Sequence, residues 1–129
     1  MTGLFLKSGC YFTDDEKETC KPTVFKLVEF ANLARQRGLL ALETEILDEQ
    51  NEFLKTAVNL MLDAIDPVII KQIFQNLMSA DEYTGVELLN RLLIAEGVLS
   101  IQQQEHPRIT ALKLYSMLGE KYIFAASQP

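Results

Sequence analysis

Apolar residues in this chain recur at three- and four-residue spacings from Val24 to Leu118, and no stretch alternates with the two-residue period of a half-buried strand. That periodicity restricts the chain to helices. Prolines punctuate it. Pro22 and Pro67 stand where a helix tolerates proline, in a first turn whose N–H groups have no intrahelical partner, and Pro107 ends one run before another begins. At 129 residues, 48% of them apolar and 23% charged, the chain can bury a core without a metal or disulfide staple. The expected architecture is all-α: a compact single-domain bundle of five or six helices. The domain is expected over residues 22–119, after an irregular segment 1–21 and before a tail 120–129. No repeat period or linker divides it.

The elements follow from local signals. Thr13, with Glu16 three residues later, has the form of a capping box and allows a short helix over 14–19. From Pro22 onward Val24, Leu27, Val28, Ala31 and Ala34 form one stripe, with Lys26, Glu29, Asn32, Gln36 and Arg37 opposite. Gly38 costs about 1 kcal/mol relative to alanine inside a helix, so it marks a break or a close approach. Leu39, Leu42 and Ile46 continue the stripe, which predicts a continuous or slightly kinked helix through Gly38. A further helix over 52–65 carries Leu54, Ala57, Val58, Met61, Leu62 and Ile65, and Asp66-Pro67 then supplies an N-cap and a first-turn proline. The next helix reaches about residue 79. After the connection 80–85, Thr84 and Glu87 suggest a second capping box for a long helix over 86–104 with Gly97 in its middle. The glutamines 102–104 read as a solvated helix end, and a last helix over 108–118 stops at Gly119. The expected core is Leu27, Ile46, Leu62, Ile70, Phe74, Leu89, Leu93 and Leu118.

One charge breaks the pattern. Advancing about 100° per residue places Arg35 within about 20° of Val24, inside the apolar stripe. Either its stem snorkels out, or the stripe there faces a partner or an acidic neighbour. On a continuous helix Glu43 falls roughly 80° from Arg35 and about 12 Å along the axis. Arg35 and Glu43 are therefore the candidate partner-binding residues.

Other chemistry is mostly excluded. A net charge of −6 and an isoelectric point near 4.8 argue against nucleic acid, whose phosphates need a basic face. No apolar run approaches the roughly 20 residues of a membrane span, and the apolar patch near the N-terminus is too short for a signal-peptide core. The chain is expected to be soluble and intracellular. Cys10 and Cys20 match neither a zinc site nor a redox pair, and two reduced thiols are expected rather than a disulfide. Glu43, Glu45, Asp48 and Glu49 read as a solvated helix face rather than a cation site. His106, the only histidine, sits beside Pro107 in a predicted turn and reads as a surface residue. With no nucleotide, hydrolase or metalloprotease motif, no catalytic residue, cofactor or metal is expected, and the chain is not expected to be an enzyme.

Two segments carry a resemblance. FANLARQRGLLALETEI followed by FLKTAVNLMLDAIDP resembles the cytoplasmic region of MotA-type flagellar stator proteins, within the MotA/TolQ/ExbB proton channel superfamily. Ala34, Arg35, Gly38, Leu39, Leu40, Ala41, Leu42, Glu43, Asp63, Asp66 and Pro67 occupy the motif positions. EGVLSIQQQEHPRI is similar to that family's C-terminal stretch at Glu96, Gly97, Ile101, Gln102, Glu105, Pro107 and Arg108. Ala64 and Gln104 stand where the family has glycine, and His106 where it has asparagine. The family's four membrane helices have no counterpart, so the chain is not expected to line an ion channel. The resemblance implies a cytoplasmic domain, or one at the inner face of the cell membrane, that contacts the flagellar rotor switch protein or a stator subunit through Arg35 and Glu43, with a role in motility and chemotaxis. It would be a natural paralogue without its channel or a fragment keeping the cytoplasmic parts. The alternative is a structural or self-associating helical protein without a motility role.

Overall fold

In the computed structural model, residues 11–126 are described, and among them there are seven α-helices and a short 3₁₀ turn but no strand. The all-α expectation holds, with one or two more helices than expected. Helix α1 (Asp14–Arg37) begins at the Thr13 capping box: Thr13 Oγ1 accepts the Glu16 N–H at 3.1 Å, and the Glu16 carboxylate accepts the Thr13 N–H at 2.8 Å. Asp14, Asp15 and Glu16 add negative charge to its first turn, where the helix dipole favours it. The helix starts eight residues before Pro22 and runs through it, so residues 14–21 of the expected irregular segment are helical. Pro22 lies on the exposed side, so the backbone carbonyl it leaves unbonded is open to water.

Helix α1 ends at Gly38, which adopts φ +90° while its N–H still bonds to the Ala34 carbonyl at 2.8 Å. A side chain there would meet no neighbour within 4 Å, so glycine serves the left-handed backbone and not close packing. The expected continuous helix is thereby overturned. The chain makes a 3₁₀ turn (Leu39–Ala41) and a single-turn α2 (Leu42–Glu45), then returns along α1 with Leu42 and Ile46 buried. Lys26 Nζ pins this return by an ion pair to Glu49 at 2.9 Å.

Helices α3 (Glu52–Leu62), α4 (Pro67–Ala80), α5 (Gly85–Gln102), α6 (Pro107–Leu118) and α7 (Glu120–Ala126) complete the bundle. Helix α5 is its axis: it packs against α1, α3, α4 and α6 and is buried nearly all round, as expected of a helix apolar on every side. Gly97 lets α1 approach, since a Cβ there would stand 2.9 Å from Leu27 Cδ1. Seven of the eight expected core residues are buried, while Leu62, the last residue of α3, is half-buried. Of the expected tail 120–129, Glu120–Ala126 is helical, and Gly119 turns it back onto α1. There the buried Tyr122 donates a hydrogen bond to Glu18 at 2.5 Å. That bond, followed by burial, pushes the Tyr122 hydroxyl up to about 12, and the same bond is the main cause holding the Glu18 carboxyl below its usual value. Cys20 is a free, buried thiol pushed up to about 11, first by burial and then by the Glu16 charge. Cys10 lies outside the described residues.

Two corners, forty positions apart, are built alike. Ala64 (φ 60°) and Gln104 (φ 58°) sit in the left-handed region just past α3 and α5. The Ile65 N–H bonds to the Leu60 carbonyl at 3.5 Å and the Glu105 N–H to the Ser100 carbonyl at 3.2 Å, which is the Schellman arrangement. Asp66 and His106 then cap α4 and α6 by accepting the N–H groups of Val68 at 2.8 Å and Arg108 at 3.0 Å. This local duplication is invisible as a repeat because its residues differ. Gln102 is not a solvated end: its Nε2 donates to the Ile65 carbonyl at 2.7 Å and ties the two corners together. Thr84 precedes α5 without a side-chain cap, so the second expected capping box does not form. Left-handed backbone costs a non-glycine residue roughly 1–2 kcal/mol, partly offset by glycine's larger folding entropy. Ala64→Gly and Gln104→Gly should each raise stability in urea unfolding by about 0.5–1 kcal/mol.

Candidate functional site

Helix α1 outreaches α5 at one end, and the site lies there. Ala31, Ala34 and Arg35 of α1, Gly38 and Leu39 of the following turn, and Ile101, Gln104 and Glu105 of the α5–α6 corner line a cleft of about 280 Å³. Arg35 occupies the apolar stripe without being buried because α5 ends at Gln102, leaving that last turn of α1 uncovered. Its aliphatic stem can lie along the cleft wall with the guanidinium in water. The cleft also joins the two segments singled out in the sequence: Ala34, Arg35, Gly38 and Leu39 come from one, Ile101 and Glu105 from the other.

The far wall is fixed by a polar network. Ser100 donates to Glu105 Oε1 at 2.6 Å, Thr110 lies 2.7 Å from the Ser100 hydroxyl, and Lys113 Nζ reaches both Glu105 oxygens at 2.8 Å. Ser100 and Thr110 are buried. Burial pushes the Glu105 carboxyl up, but the hydrogen bonds from Lys113 and Ser100 and the Lys113 charge outweigh it, leaving the carboxyl below its usual value. Glu105 is therefore an ionised, internally satisfied wall.

Glu43 stands exposed on α2, beyond the turn at Gly38, so the angular relation to Arg35 expected on a continuous helix does not apply. Among the described residues neither side chain has an ion-pair or hydrogen-bond partner. Around them Arg37, Glu45 and Asp48 are exposed, and Leu40 and Leu47 are 70% and 67% exposed. The two leucines escaped the sequence reading although Leu40 lies off the stripe of Leu39, Leu42 and Ile46, which was the available signal. Glu49 leaves the acidic cluster to bond Lys26 and the Asn51 N–H. Among the described residues no group of three or more histidines, cysteines or acids is placed to hold a metal, and no helix is long and apolar enough to cross a membrane. Sequence reasoning also missed Arg91, whose guanidinium lies 4.9 Å from the Phe53 ring centre and 4.1 Å from that of Tyr83, fastening the 81–84 connection to α3.

Comparison with known proteins finds a stretch of 59 residues, 46% of this chain, that is 39% identical to Motility protein A of Treponema phagedenis. The match covers 23% of that protein, so the chain spans less than a quarter of the relative's length. A distant MotA-like relationship is supported. No family model matches the chain, and no solved structure matches it.

A carboxyl held below its usual value contributes stability above the unfolded-state value of about 4.5, and that contribution disappears as pH falls through the lower folded-state value. Glu105→Gln should therefore lower stability by about 1 kcal/mol at neutral pH, with the difference from wild type shrinking in acid below about pH 4, as read by denaturant unfolding across pH.

Proposed function

We propose that this chain is a MotA-like protein-interaction domain that contacts a component of the flagellar motor, a rotor switch protein or a stator subunit, through Arg35 and Glu43. The supporting observation is the convergence of the two MotA-resembling segments on one cleft, with Arg35 exposed and unpaired among the described residues. Exposed charges of this kind contribute roughly 0–1 kcal/mol each, so they suit steering and short-lived contact more than tight binding. A rotor component that is engaged and released repeatedly needs such contacts. In this reading the chain acts in the cytoplasm at the inner face of the membrane, conducts no ions and catalyses no reaction, and its role belongs to motility.

Affinity capture from the source cell's lysate, with the recovered proteins identified by mass spectrometry, tests this. The wild-type chain should recover a rotor or stator protein at low salt and less of it at physiological salt. Arg35→Glu/Glu43→Lys should lower that recovery about tenfold while leaving the thermal midpoint within about 2 °C, because both side chains are exposed. Equal recovery by the variant, or a large loss of thermal stability, would contradict the assignment.

A further inference from the structure

The surface around Arg35 and Glu43 is bipolar. Arg35 and Arg37 form a cationic end in the last turn of α1, and Glu43, Glu45 and Asp48 form an anionic end beyond Gly38. All five are exposed, and among the described residues none has a side-chain ion pair or hydrogen bond. The two charged ends thus lie within fourteen residues of each other without pairing to any described residue. In the same stretch stand Leu40 and Leu47, the two most exposed aliphatic side chains among the large described hydrophobics. Leu40 stands between the two charged ends and Leu47 within the anionic one, and exposed leucines flanked by charges have the composition of an interface core with a polar rim.

We infer that this surface closes on a second copy of the same chain, in a two-fold dimer that sets the cationic end of each copy against the anionic end of the other around Leu40 and Leu47. A two-fold interface places residue i against j and j against i, so a patch carrying both charges is complementary to itself. The inference rests on the reading of Arg35 and Glu43 as contact residues, and it adds a form of regulation. The dimer covers the residues that a motor partner would use, so the two contacts exclude each other. Five exposed charges and two leucines make a small interface of the weak, transient class.

Sedimentation of the full chain from about 1 µM to about 1 mM, at low and physiological salt, tests the inference with charge-swapped variants. Wild type should shift from monomer to dimer across this range, less so at the higher salt. Reversal of one end alone, by Arg35→Glu/Arg37→Glu or by Glu43→Lys/Glu45→Lys, sets like charges together twice and should weaken dimerisation tenfold or more. Reversal of both ends together should restore it, because opposite charges face each other again. Leu40→Ser/Leu47→Ser should weaken dimerisation whatever the salt, and circular dichroism confirms that each variant is folded. A wild-type monomer throughout, one-end variants that dimerise like wild type, or a folded two-end variant that stays monomeric would each overturn the dimer. The two-end variant separates the claims, since it should regain self-association while losing capture of a motor protein.

Discussion

The contact between Leu27 and Gly97 is the point on which the rest of the structure turns. Helix α5 is buried on almost every side, and α1 lies along it with the Leu27 side chain seated against Gly97, where a Cβ would stand 2.9 Å from Leu27 Cδ1. Close approach of two helices at a glycine places the residues on either side of the contact in register. Toward one end the register sets Thr23 to donate to Asn90 at 2.6 Å, and toward the other it brings Ala31 and Arg35 beside Ile101 and Glu105. The cleft is therefore a consequence of helix packing, assembled from segments more than sixty residues apart.

What surrounds the cleft follows from where helices stop. Helix α5 ends in a Schellman corner, and the Ser100, Glu105, Thr110 and Lys113 network holds that corner against α6. Helix α1 continues past it and exposes Arg35, and the helix ends at Gly38 before α2, which exposes Glu43. Had α1 continued through position 38, the two charges would share one helix face. Both are exposed and have no ion-pair partner among the described residues, which leaves them available for contacts outside the chain.

Much of this was legible in the sequence. Helical periodicity identified the all-α bundle and seven of the eight core positions, because burial of an apolar stripe is what sets that periodicity. The capping box at Thr13 and the Asp66-Pro67 restart were readable because each is a short local pattern with one geometry. The extent of α1 was hidden because Pro22 reads as a helix start, whereas the cap upstream and the long flanking helix carry it through. The break at Gly38 was hidden because the stripe continues across it: Leu42 and Ile46 are buried by a returning segment as well as they would be by a straight helix. The left-handed corners at Ala64 and Gln104 carry no glycine, and the tail helix depends on a tyrosine finding a glutamate 104 positions away. Arg35 and Glu43 stood out as charges, but the cleft, the fixed Glu105 wall and the exposed Leu40 and Leu47 depend on tertiary packing.

The most direct test of this account is a double-mutant cycle at the α1–α5 contact, measured by denaturant unfolding. Gly97→Val should overfill the contact and cost about 2 kcal/mol or more, and Leu27→Ala should cost roughly 2–5 kcal/mol by leaving a cavity. If the two helices meet there, the valine fills space vacated by the leucine, and the double variant should lose at least about 1 kcal/mol less than the sum of the single losses. Strict additivity would mean that Leu27 and Gly97 do not touch, and the cleft that joins the two segments would lose its structural basis.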